Sequence, residues 1–162
     1  MEKYKFQKGM KRRELIDFRI GRYQNKEWKL TQESLFASEV EKHLEQIFSD
    51  LGRPIKTISR EFSILGGRLD FLLNHEDETF TLVEVKYSRG NSHDEAKCCY
   101  SVGQLLTYKA TFCRMYDVPK EEVNLMIINN EEFISVVDVV AFNDLPIEYL
   151  VIGENGVKYY GK

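Results

Sequence analysis

Between Thr31 and Gly52 the apolar positions recur every three to four residues. Leu35, Phe36, Val40, Leu44, Ile47, Phe48 and Leu51 form one stripe, as on a helix that turns about 100° per residue. Thr31 is the expected N-cap and Gly52 the terminator, which gives about five or six turns. The period then drops to two. PIKTISREFSI, GGRLDFLLN and TFTLVEVKY are rich in β-branched and aromatic residues, and Gly66-Gly67 and Asn74 to Glu78 punctuate them. Three antiparallel strands in a meander are expected. The polar run SRGNSHDEAK reads as a loop. Helical spacing returns through Val102, Leu105, Leu106, Lys109 and Phe112 in CCYSVGQLLTYKATFCRMY. NLMIINN reads as a strand, Phe133 to Phe142 as a helix, and IEYLVIGENGVKYY as a hairpin across Glu154-Asn155-Gly156. A short helix is expected around Glu14 to Ile20.

The order α-βββ-α-β-α-ββ predicts an α/β fold, a central mixed sheet with helices on its faces. No repeat or linker interrupts it. The chain reads as one domain with a basic N-terminal arm (1–29), a core (30–130) and a C-terminal helix and hairpin extension (131–162).

One strand breaks its own pattern. In LVEVKYS, alternation puts Leu82, Glu84 and Lys86 on one face and Val83, Val85 and Tyr87 on the other. A buried charge is costly unless it is paired or bound to a metal. A Glu–Lys contact at a sheet edge is the simplest account. Asp70, flanked by Leu69, Phe71, Leu72 and Leu73 in GRLDFLL, adds a second carboxylate on a neighbouring strand. Two converging carboxylates repel one another unless a cation sits between them, and carboxylate oxygens suit Mg²⁺. With Lys86 alongside to orient or help deprotonate a water, the set meets the needs of phosphodiester hydrolysis.

Composition narrows the rest. At 162 residues, with 43% hydrophobic and 30% charged positions, the chain can bury a core without disulfides. No apolar run approaches the roughly 20 residues of a membrane span. MEKYKFQKGMKRR lacks the apolar centre of a signal peptide, so a cytoplasmic protein is expected. Cys98, Cys99 and Cys113 do not match a four-thiolate metal site and read as reduced packing residues. His43, His75 and His93 show no metal-ligand spacing. The net charge of −3 hides an asymmetry. Residues 1–29 carry ten Lys or Arg against four Asp or Glu, and the remainder thirteen against twenty-two. A basic arm interleaved with Tyr4, Phe6, Phe18, Tyr23 and Trp28 suits a phosphate backbone, and equally a solvated helix end.

Asp70 in RLDFL, Glu84-Val85-Lys86 in LVEVKYS, and a preceding helix with acidic residues resemble the PD-(D/E)XK nuclease superfamily, also called restriction-endonuclease-like. The resemblance covers roughly residues 33–110, with Leu69 in place of the nominal proline. Gln104 and Tyr108 in QLLTY are similar to the Gln-x-x-x-Tyr motif of the branch containing recombination exonucleases.

The resemblance implies a Mg²⁺-dependent nuclease acting on DNA, with Mn²⁺ as a substitute, RNA as a weaker alternative, and a homodimer among its possible states. Asp70, Glu84 and the Val85 carbonyl would hold the metal, and Lys86 would position the nucleophile. Gln104 would steady Lys86 or a substrate phosphate, and Tyr108 would contact substrate. Glu33, Glu39 and Glu41 are the candidate helix carboxylates. Glu41 is preferred because it is in phase with Ala37, Leu44 and Phe48, and because EKHLEQIFSDLG resembles the helix of archaeal Holliday-junction resolvases. Endonuclease and exonuclease action both remain open, the Gln-x-x-x-Tyr match leaning to the latter. The alternative is a catalytically silent nuclease-like module that binds nucleic acid or helps assemble a larger complex. Small size and an acidic body favour that alternative, and the intact Asp/Glu/Lys set weighs against it.

Overall fold

The first stripe of the sequence becomes α1, Gln32–Asp50, with Phe36, Val40, Leu44, Ile47 and Phe48 buried. Gly52 follows it with φ +74°, a left-handed conformation in which a side chain would be strained. In this computed structural model residues 32–64, 66–153 and 156–161 are described. The basic arm, its expected short helix, the Thr31 cap and the Glu154-Asn155 turn lie outside them.

β1 (Ile55–Ile64), β2 (Gly67–His75) and β3 (Phe80–Lys86) form the expected antiparallel meander. Next, α2 (Ser92–Tyr116) crosses to β4 (Val123–Asn129), and α3 (Ile134–Phe142) crosses to β5 (Ile147–Gly153). β6 (Gly156–Tyr160) closes the last hairpin. The six strands lie in the order β1 to β6, with β3, β4 and β5 parallel to one another. The α-β-β-β-α-β order expected from the sequence runs from α1 to β4.

Two apolar layers sandwich this sheet. On one face Phe36, Val40, Leu44 and Phe48 of α1 meet Phe71, Val83, Val85, Met126 and Ile128. On the other, Leu105 and Phe112 of α2 and Val136 and Val140 of α3 meet Leu82, Leu125, Ile127 and Tyr149. The middle strands are therefore covered on both sides, as parallel strands require, and each fully buried large side chain contributes about 1.5–3 kcal/mol.

One boundary differs from expectation. α2 begins at Ser92, within the run read as a loop. Asn91 is extended there and its side chain accepts a hydrogen bond from the Asp94 N–H at 2.9 Å, an N-cap followed by acidic residues in the first turn. The cap lay hidden in a uniformly polar stretch. The cysteines are free. His75 is interior, its ring nitrogens 3.0 Å from the Arg53 carbonyl and 2.7 Å from the Thr81 hydroxyl.

The β1–β2 hairpin changes sides of the sheet as it runs outward. Phe71 and Leu73 pack toward α1, yet Leu69 packs toward α2. The switch falls at Asp70, and Glu61, which faces it across the ladder between the Arg60–Phe71 and Phe62–Leu69 pairs, has φ +51°. The far end of the hairpin is seated by Tyr108 of α2, against whose hydroxyl a Cβ at Gly67 would overlap.

Candidate active site

β2 and β3 stay paired only from Asn74–Phe80 to Phe71–Val83. Past that point the twist of the hairpin carries β2 off, and the next β3 amide to face it, Val85 N–H, donates to Asp70 Oδ2 at 2.7 Å. An extended residue points its N–H and C=O toward the same neighbour, so the Val85 carbonyl faces this opening as well. On the other edge β3 continues in register with β4 as far as Lys86–Asn129. The Asn130 side chain then carries the ladder on, accepting from Ser88 N–H at 2.7 Å and donating to Ser88 C=O at 2.8 Å. The end of β3 is thus fixed on one side and open on the other.

Glu84 sits beside the opening, only 2% exposed, in the parallel ladder opposite Ile127. Its Oε2 is 3.5 Å from Lys86 Nζ, while Oε1 is buried with no hydrogen-bond partner. Desolvation, then the charge of Asp70, push the Glu84 carboxyl up to about 8, against the opposing pull of Lys86. Asp70 is also raised, chiefly by desolvation, with the Val85 N–H and Lys86 working the other way. For Lys86, burial acts to lower its pKa, but Glu33, Glu84 and Asp70 together outweigh burial and raise it, so the amine stays charged.

Glu33 is the fourth member. It lies in the first turn of α1, with Oε1 3.7 Å from Lys86 Nζ and Oε2 3.4 Å from the Tyr87 N–H. The packing of Phe36 against the Tyr87 ring, with centroids 5.9 Å apart, brings that turn to the end of β3. Glu41 does not join the cluster. It pairs with Arg60 on β1 at 2.9 Å, about two turns further along the helix. Glu39 pairs with Lys42. The structure thus brings Glu33, rather than the preferred Glu41, to Lys86: the apolar stripe fixes which way a helical residue faces but not its height along the axis.

Gln104 is not paired with Lys86 among the described residues. Lys86 meets Glu33 and Glu84, whereas Gln104 lies on the exposed side of α2 and donates to the Tyr108 hydroxyl at 3.0 Å. Tyr108 is buried against the hairpin.

Among the described residues no three His, Cys, Asp or Glu groups converge on one metal-sized point. Mg²⁺ does not need three. It takes one or two carboxylates and completes its octahedron with waters and phosphate oxygens. A buried carboxylate oxygen without a donor, beside a second carboxylate and a backbone carbonyl, fits such an ion.

No protein-family model matches the sequence, and no curated protein matches it. Among solved structures the chain is similar to a repair endonuclease from Pyrococcus abyssi, with 18% identity, a TM-score of 0.45, and coverage of 67% of this chain and 45% of that one. It is similar to EndoMS in a complex with dsDNA, with 18% identity, a TM-score of 0.47, and coverage of 71% and 44%. It is also similar to an XisH family protein from Nostoc punctiforme, with 17% identity, a TM-score of 0.41, and coverage of 65% and 88%. The chain spans less than half the length of the first two. Each likeness is one of architecture.

Proposed function

We propose that the chain is a Mg²⁺-dependent nuclease that hydrolyses DNA phosphodiester bonds, with Mn²⁺ as a working substitute. The observation that carries this reading is Glu84 Oε1, buried without a donor between Asp70 and a charged lysine. Glu84, Asp70 and the Val85 carbonyl hold the ion, which when bound supplies Lewis acidity and lowers the pKa of a bound water. Lys86 places its ammonium against the attacking water and the scissile phosphate, where negative charge builds up in the transition state. Glu33 holds Lys86 from the α1 side, and the Val85 N–H fixes the rotamer of Asp70.

The test is cleavage of linear, circular and branched duplex DNA by the purified chain in Mg²⁺, Mn²⁺ or EDTA. Cutting is expected with either metal and absent in EDTA. Glu84→Ala and Lys86→Ala should each lose at least about a thousandfold in rate, as when a group essential to the chemistry is removed. Cleavage that survives both substitutions would overturn the proposal. Binding of DNA without cleavage under every condition would favour a silent module of the same fold.

A further inference from the structure

The loop that leaves β3 is pinned along its backbone. Between Lys86 and the first turn of α2, four consecutive N–H groups each meet a side-chain oxygen. Tyr87 N–H meets Glu33, Ser88 N–H donates to Asn130 at 2.7 Å, Arg89 N–H to Asp94 at 2.9 Å, and Gly90 N–H to the Ser88 hydroxyl at 2.9 Å. Ser88 is buried, Gly90 turns the chain with φ +84°, and the Asn91 cap closes the far side. A loop held at so many points presents its exposed side chains from a fixed backbone. Residues 87–91 carry one charged side chain, Arg89, and it is exposed.

The other cations show why this one stands apart. Arg53, Arg60, Lys42 and Lys158 are closed on Glu148, Glu41, Glu39 and Glu132, and Arg68 stands 3.8 Å from Glu61. Lys56 begins β1 opposite the end of β2, Arg114 lies in the last turn of α2, Lys120 just precedes β4, and Lys109 lies with Lys120 and Glu121. Those four sit toward the end of the sheet away from Lys86. Among the described residues the Arg89 guanidinium is joined to no carboxylate. Asp94, whose charge it feels, has Oδ2 already engaged by the Arg89 N–H and the Asn91 amide.

Arg89 follows Lys86 by three residues, so their Cα atoms are at most about 10 Å apart. Nucleotides of one strand rise about 3.4 Å each, so an arginine there has a backbone phosphate within reach whenever another phosphate faces Lys86. We infer that Arg89 is a substrate-binding residue, gripping the DNA phosphate that lies about one to three nucleotides from the scissile bond. This rests on the nuclease reading for the identity of the site. A guanidinium stays charged and offers two parallel N–H donors to two phosphate oxygens. The pinned loop lowers the freedom lost on binding. Such a contact adds affinity without sequence preference and sets which phosphate arrives at Asp70 and Glu84.

The experiment uses the full chain and a fluorescent duplex in EDTA, so that binding is measured without cleavage. Arg89→Ala should bind at least about fivefold more weakly near 0.1 M salt, and its slope of log K against log salt should shrink by about 0.9, the value for one phosphate contact. Arg89→Lys should keep the slope and lose only part of the affinity, because it retains the charge but not the fork. Lys56→Ala and Lys120→Ala, at the far end of the sheet, should stay within about twofold of the wild type. Equal losses in those two variants, a loss at Lys97→Ala with none at Arg89→Ala, or no DNA binding by the wild-type chain would overturn the inference. In Mg²⁺, one neutral methylphosphonate in a strand should slow wild-type cutting at a bond a fixed distance away, and Arg89→Ala should erase that contrast. A contrast that persists in Arg89→Ala would assign the contact to another group and overturn the inference. The two readings fail separately. A chain that never cuts, yet loses affinity and slope on Arg89→Ala, ends the nuclease reading alone. A chain that cuts, with Arg89→Ala unchanged in KM and salt slope, ends this inference alone.

Discussion

Two glutamates, the buried Glu84 on β3 and the half-buried Glu148 on β5, show how one sheet treats a sheltered acid in opposite ways. Their side chains are 3% and 16% exposed. Glu148 is closed off completely: Arg53 binds both of its oxygens, at 2.9 and 2.7 Å, and the Tyr159 hydroxyl adds a third donor. Glu84, the more deeply buried of the two, has one amine at 3.5 Å, a repelling carboxylate beside it, and an oxygen with no donor. Bidentate pairing is how a fold stabilises a charge that it keeps for itself. An acid left open at a break in the ladder is what the proposed metal would complete.

The largest expected effect breaks the pair at its closed end. Arg53→Ala would leave the Glu148 carboxylate sheltered and without its counter-ion, at a cost of about 3 kcal/mol and a fall in Tm of roughly 6–12 °C. Glu84→Gln keeps the shape of its side chain and removes a carboxyl whose ionisation burial disfavours. In EDTA that variant should melt no lower than the wild type while being inactive in Mg²⁺. Thermal unfolding of both variants checks this. A harmless Arg53→Ala alongside an unfolded Glu84→Gln would reverse the roles assigned to the two acids.

Next in size is the contrast between Glu33 and Glu41 on one helix. Glu33→Gln weakens the hold on Lys86 and should slow cleavage ten- to a hundredfold, a loss of about 1.4–2.7 kcal/mol in transition-state stabilisation. Glu41→Gln loses only a half-exposed bridge to Arg60, worth under about 1 kcal/mol, and should cut within twofold of the wild type. Measured kcat for the two variants decides between them, and a larger loss at Glu41 would restore the reading made from helical phase.

That pair also marks how far the sequence could be read. The strands, the turns at Gly66-Gly67 and Asn74–Glu78, and the convergence of Asp70, Glu84 and Lys86 were legible because local rules generate them: period-two alternation, turn residues, and charges out of place in apolar strands. Which of Glu33, Glu39 and Glu41 meets Lys86 was not, because that depends on where α1 docks, and docking is fixed by contacts such as Phe36 on Tyr87 that join distant parts of the chain. The bend at Asp70 was hidden for a similar reason. It rests on Glu61 adopting a left-handed conformation, for which a non-glycine residue gives little signal. The Asn91 cap was present in the sequence but masked by polar neighbours on both sides.

The third prediction concerns pH. Burial raises the Glu84 carboxyl from 4.5 to about 8, so between those values the folded chain keeps a proton that the unfolded chain has released. The unfolded state then binds fewer protons, and stability falls as pH rises through that window, by at most about 1.4 kcal/mol per pH unit from this group. The raised Asp70 acts in the same direction. Unfolding in urea from pH 5 to 8, in EDTA, should show this decline for the wild type and a flatter profile for Glu84→Gln. An unchanged slope in the variant would mean that the acid at position 84 is not the strained one.

The smallest effect asks whether the open region extends to α2. Gln104 is exposed and gives its amide to Tyr108, whose hydroxyl rests against Gly67 in the strand that carries Asp70. One partly buried hydrogen bond contributes about 0.5–1 kcal/mol, so Gln104→Ala and Tyr108→Phe should each cost about that much. The double variant should cost little more than either single one, because both remove the same bond. If Gln104 acts only by seating the hairpin, kcat in the single variant should stay within about threefold of the wild type. A tenfold loss of rate with Tm unchanged would instead carry Gln104 across to the side of Glu84, as a group held ready for substrate rather than for the fold.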